Sequence, residues 1–75
     1  MAKHHVENVI RRLRFHADEM TQAQLAQRVG VTRQTIVAIE KAKYAPSLEL
    51  AFQIAHVFSK PLEEVFIFTG GKDDV

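Results

Sequence analysis

The stretch from Gln22 to Lys41, QAQLAQRVGVTRQTIVAIEK, constrains this chain more than any other, because it repeats a helical apolar pattern on either side of one glycine. Leu25, Ala26 and Val29 share one helical face, and Val31, Ile36 and Ile39 form a second apolar set beyond Gly30. Ala26 is small enough to let two helix backbones approach closely. Gly30 suits the left-handed conformation that ends a helix and turns the chain within a few residues. Two short helices joined in this way present the first turn of the second helix to the outside. Here that turn is Thr32, Arg33, Gln34 and Thr35.

Arg and Gln are the side chains able to make paired hydrogen bonds to guanine and adenine edges in the major groove of DNA. As an N-cap, Thr32 leaves helix amide N–H groups pointing outward at the positive end of the helix dipole, an arrangement that favours phosphate. The pair of helices therefore reads as a helix-turn-helix unit that binds DNA. Net charge is only +1, but it is unevenly spread: residues 1–43 hold eight Lys and Arg against four Asp and Glu, and residues 44–75 hold two against five. One half of the chain is suited to face phosphate.

Around this unit the pattern predicts five helices and a tail. The first helix spans about Glu7 to Ala17, with Val6, Ile10, Leu13 and Ala17 in helical phase. The second follows Thr21, whose T-x-x-Q spacing to Gln24 is a capping box, and ends near Gly30. The third runs from the Thr32 cap to about Glu40. Residues 41–46 form a loop, since Pro46 disfavours helix at Ala45. The fourth is capped by Ser47, reaches about Phe58 and buries Leu48, Ala51, Phe52, Ala55 and Phe58. The fifth opens with Pro61 in its first turn, carries Glu63 and Glu64 near its positive end, and turns Leu62, Val65 and Phe66 to the core. Beyond it, Ile67-Phe68-Thr69 is extended. It either tucks into the monomer core or pairs as a strand with the same segment of a second copy. Residues 1–75 are expected to form one domain, with the helix-turn-helix unit at 22–41 and a tail at 69–75 whose last residues, Lys72-Asp73-Asp74-Val75, fray.

The segment TQAQLAQRVGVTRQTIVAIEKAKYAPSLELAFQIAHVFSKPLEEVF resembles the DNA-binding domain of the Cro and C1-repressor type, the XRE-like helix-turn-helix regulators. The order L-A-x-x-x-G-V-[ST]-x-x-x-I-x-x-I-E recurs with every spacing kept, and the likeness extends from about Asn8 to Phe68. The resemblance implies an all-α, five-helix lambda-repressor-like domain with a short C-terminal extended segment. It also implies that Gln22 grips a phosphate, that Arg33, Gln34 and Thr35 read bases and hold phosphate, and that Val37 and Ala38 lie further along the same face. Lys41, Lys43 and Tyr44 match a loop that braces the DNA backbone. One departure stands out: Ala42 occupies a position where the family usually has glycine. A left-handed alanine costs on the order of 1 kcal/mol, so the end of the third helix is expected to be shaped differently.

Glu40 would be repelled by DNA and is expected to pair with a nearby arginine, Arg14. Val37 and Ala38 either meet thymine methyl groups or keep the exposed face small enough to enter the groove. His4, His5, His16 and His56 lack the spacing of a metal site, and no cofactor or metal is expected. The exception is the sequence Ala2-Lys3-His4, which, once Met1 is removed, offers four nitrogens in a square plane for copper(II) or nickel(II) in vitro. Asp18-Glu19 is an adjacent pair in a loop, and neither Ser47 nor Ser59 has an evident base, so no catalytic constellation appears and the chain is not expected to be an enzyme. There is no cysteine, and no apolar run approaches the ~20 residues of a membrane helix. A cytoplasmic protein that binds double-stranded DNA without a small-molecule ligand is expected. The favoured reading is a repressor acting as a homodimer on a palindromic operator, with Phe66, Ile67 and Phe68 at the dimer interface. The alternatives are an antitoxin that represses its own operon and a protein–protein adaptor built on the same fold.

Overall fold

The computed structural model describes residues 6–69. The chain enters through a short strand, β1 (Val6–Asn8), and continues as α1 (Ile10–His16), α2 (Gln22–Val29), α3 (Arg33–Glu40), α4 (Leu48–Val57) and α5 (Leu62–Val65) before ending in β2 (Phe66–Phe68). The strands pair antiparallel, Val6 opposite Phe68, Glu7 opposite Ile67 and Asn8 opposite Phe66. The expected all-α domain of five helices is present, and its C-terminal extended segment is one strand of a small ribbon.

Local chemistry sets the helix starts. Thr21 and Gln24 form the full capping box: the Gln24 N–H donates to Thr21 Oγ1 at 3.0 Å, and the Thr21 N–H donates to Gln24 Oε1 at 2.8 Å. Thr32 Oγ1 accepts from the Thr35 N–H at 3.2 Å, and Ser47 Oγ accepts from the Leu50 N–H at 3.1 Å. Gly30, at φ +75°, closes α2 in the left-handed region. Ala42 also takes that region, at φ +58°. The end of α3 is thus not reshaped to spare the alanine. Instead the Ala42 N–H donates to the Ile39 carbonyl and the Lys43 N–H to the Ala38 carbonyl, both at 2.9 Å, which satisfies two end carbonyls of the helix.

Every helix supplies a fully buried side chain: Ile10 from α1, Leu25 from α2, Ile36 and Ile39 from α3, Ile54 from α4 and Val65 from α5. Met20, Ala26 and Ala55 complete the centre, and Leu13, Val29, Val31, Leu50, Phe58 and Leu62 pack partly against it.

Several expectations are corrected. The first helix does not begin at Glu7, because residues 6–8 are strand and Asn8 makes the transition: its Oδ1 accepts from the Ile10 N–H at 3.2 Å while its Nδ2 donates to the Ile39 carbonyl at 2.8 Å. Val6 keeps helical spacing with Ile10 by coincidence. Phe66 is not helical. It opens β2, half-buried against the core, and the extended segment pairs with the chain's own β1, a partner outside both alternatives drawn from the sequence. The buried stripe of α4 is Ala51, Ile54 and Ala55, while Leu48 and Phe52 point outward. Pro61 caps α5 from just outside rather than lying within its first turn. The Ala2-Lys3-His4 sequence and the terminal Lys72-Asp73-Asp74-Val75 lie outside the described residues. Among those described, no helix is long and apolar enough to cross a membrane.

Candidate nucleic-acid interface

The Thr32 cap leaves the first turn of α3 projecting, with Arg33 and Gln34 exposed side by side. Thr35 is half-buried, and its hydroxyl lies 3.0 Å from that of Thr32. The two threonines thereby stiffen the turn that carries the two long polar side chains.

Arg33, Val37 and Lys41 recur at four-residue intervals and line one wall of a shallow trough of about 660 Å³. Its opposite wall is Arg11 of α1 together with Thr21, Gln22 and Ala23 at the start of α2. The first amides of α2 have no partner within their helix, and they open at the positive end of its dipole. Four cationic side chains line the trough, Arg11, Arg14, Arg33 and Lys41, against the carboxylates of Glu19 and Glu40.

One carboxylate organises this floor. Glu40 Oε2 accepts from Arg14 Nε at 2.6 Å and Glu40 Oε1 accepts from Arg14 Nη2 at 3.0 Å, a bidentate pair with both side chains largely covered. Arg14 Nη1 also donates to the Met20 carbonyl at 2.8 Å. Gln22 Nε2 donates to Glu40 Oε1 at 3.2 Å. The expected pairing of Glu40 with Arg14 is present, and the network joins α1, α2 and α3 behind the exposed face. It also fixes the Gln22 amide at the trough's edge, with one N–H spent on Glu40 and the rest of the group left over.

The residues singled out in the sequence divide into three places. Gln22, Arg33, Val37 and Lys41 converge on the trough. Gln34, Thr35 and Ala38 sit on α3 outside it. Lys43 and Tyr44 follow the left-handed turn, where Lys43 is exposed and Tyr44 lines a different, apolar groove beside Ile39 and Leu48. Sequence reasoning did not single out Arg11, because three arginines at 11, 12 and 14 look alike until helical phase separates them. Arg14 turns inward to Glu40, Arg11 faces the trough, and Arg12 lies outside it near Phe15. Asn8 was also missed, since its contact with Ile39 spans thirty-one residues.

A projecting helix start beside a cation-lined trough defines a small helix-turn-helix domain, and residues 10–65 match the helix-turn-helix family. The chain belongs to that family, the Cro and C1-repressor type of DNA-binding transcriptional regulator. It is similar to an "uncharacterized HTH-type transcriptional regulator" of Archaeoglobus fulgidus, 61% identical over 49 residues that cover 65% of this chain and 69% of the relative. A protein of the same description from Methanothermobacter thermautotrophicus is 52% identical over 58 residues, covering 73% of this chain and 84% of the relative. In fold it resembles a Bacteroides fragilis protein described as a "putative DNA-binding protein", with a TM-score of 0.70 and 21% identity over 81% of this chain and 97% of the other.

Proposed function

We propose that this chain is a sequence-specific transcriptional repressor that binds a palindromic operator as a homodimer in the cytoplasm, with α3 in the major groove. The observation that carries the reading is the exposed Arg33–Gln34 pair on the capped first turn of α3, set beside the cationic trough. Arg33 and Gln34 are assigned to base edges, where each good pair contributes roughly 1–3 kcal/mol of discrimination. Gln22, Thr32, Thr35, Lys41, Lys43 and Tyr44 are assigned to the backbone. Val37 and Ala38 are small enough to approach thymine methyl groups.

A single module of this size buries only a modest interface on DNA. Two copies on half-sites about one helical turn apart raise affinity and impose a palindrome. The contact between them is assigned to the C-terminal segment Phe66, Ile67 and Phe68, and Phe68→Ala is expected to shift the light-scattering mass from dimer to monomer.

Selection of bound duplexes from a random pool tests the whole reading. A palindrome with half-sites one turn apart is the expected result. Recovery of no motif at moderate salt would overturn it and favour the protein–protein adaptor.

A further inference from the structure

A groove of about 550 Å³ runs between the ribbon and the segment that joins α3 to α4. Val6 and Phe66 form one side, Tyr44, Pro46 and Leu48 the other, and none of the residues lining it is charged. The strand register determines what else faces it. Directly opposed residues of an antiparallel pair share a face, and successive residues alternate. Phe68 therefore stands on the groove side with Val6, Asn8 and Phe66, whereas Glu7 and Ile67 stand on the other. On the groove side, Phe68 is 64% exposed, Leu48 68%, Tyr44 50% and Val6 44%.

We propose that this groove is where the second copy docks: Phe68 of each copy enters the other's groove beside Leu48 and Tyr44. The inference rests on the homodimer reading and narrows it, since it removes Ile67 from the contact and gives the Tyr44 ring to the partner copy rather than to the DNA backbone.

Three observations favour a second copy as the occupant. A two-fold interface must be complementary to itself, so a projecting knob and the hollow that receives it must lie on one surface, as Phe68 and the groove do. The lining offers no charge to attract an acidic or basic partner, and a centre depleted of charge is what protein interfaces share. Four large side chains at this exposure form an apolar patch on the order of a few hundred Å², a size that on monomers often marks an interaction site. That is the scale required at the centre of an interface burying ~800 Å² per partner. Ile39 and Ala42 also line the groove, so the contact would bear directly on the C-terminal end of α3 and fix how far apart the two copies of that helix stand.

The absence of cysteine makes cross-linking a clean test. An equimolar mixture of Leu48→Cys and Phe68→Cys chains is expected to give a mixed disulfide dimer on mild oxidation, and a mixture of Leu48→Cys with Ile67→Cys is not. Independently, Leu48→Asp is expected to sediment as a monomer with its helical circular dichroism retained, because the side chain it replaces is exposed, while Ile67→Lys stays dimeric. A dimeric Leu48→Asp, or cross-linking only through position 67, would overturn the groove while leaving the homodimer intact. A native chain that sediments as a monomer at every concentration where it binds DNA would overturn the homodimer and the groove together.

Discussion

At the scale of single residues, Glu40 and Ala42 illustrate opposite economies. Glu40 is a carboxylate behind a face proposed to meet phosphate, and it persists because Arg14 and Gln22 consume its charge and lone pairs. Removing one partner of a covered ion pair leaves the other charge stranded. Glu40→Ala is therefore expected to lower unfolding free energy by on the order of 3 kcal/mol, measured by urea denaturation, and to weaken DNA binding as Gln22 loses its anchor. Ala42 holds φ +58° at a steric cost that glycine does not bear. Ala42→Gly is expected to raise stability by about 1 kcal/mol, read as a higher urea midpoint with an unchanged m-value. The sequence disclosed the Ala42 oddity through the family pattern, but not its outcome: the two backbone bonds from Ala42 and Lys43 to the end of α3 outweigh the steric cost and hold the turn.

At the scale of elements, caps were legible and the pairing of strands was not. Thr21, Thr32 and Ser47 act on amides three residues away, so their roles are written in a few consecutive letters. The ribbon joins residues about sixty positions apart, and three-residue strands are too short to announce themselves by alternation. Val6 was absorbed into a helical phase it does not share. In α4, Leu48 and Phe52 fit a helical stripe as well as Ile54 does, and only the placement of the other helices decides which stripe is buried. The site followed the same division: the start of α3 could be read locally, whereas the trough's Arg11 wall depends on how Arg14 and Glu40 tie α1 to α3. Capping distinguishes the two central helices functionally. Thr21→Ala and Thr32→Ala should each cost about 1 kcal/mol of stability. Only Thr32→Ala is expected also to reduce affinity for specific and unrelated duplexes alike, as measured by fluorescence anisotropy.

At the scale of the whole molecule, the charge asymmetry between residues 1–43 and 44–75 becomes a difference between surfaces. The cationic trough belongs to α1, α2 and α3, and the apolar groove belongs to the ribbon and the start of α4. A molecule divided in this way should separate the salt-dependent part of DNA binding from the sequence-dependent part. Lys41→Ala is expected to lower the slope of log affinity against log salt by about one while leaving base preference unchanged. Gln34→Ala should leave the slope intact and relax preference at one position of each half-site, at a cost of roughly 1–3 kcal/mol. Titrations of matched and single-mismatch duplexes at several salt concentrations measure both.

The ribbon has a consequence for how the chain is made. β1 leaves the ribosome ahead of the helices, yet its partner strand and the Val65 carbonyl that receives the Val9 N–H emerge some sixty residues later. Asn8, which braces the end of α3, sits on that waiting strand. A nascent chain can thus form its central helix pair early, but it cannot lock the end of α3 until residues 66–68 are out. The strand that fastens the helix proposed to read DNA is thus made after all five of the helices it follows.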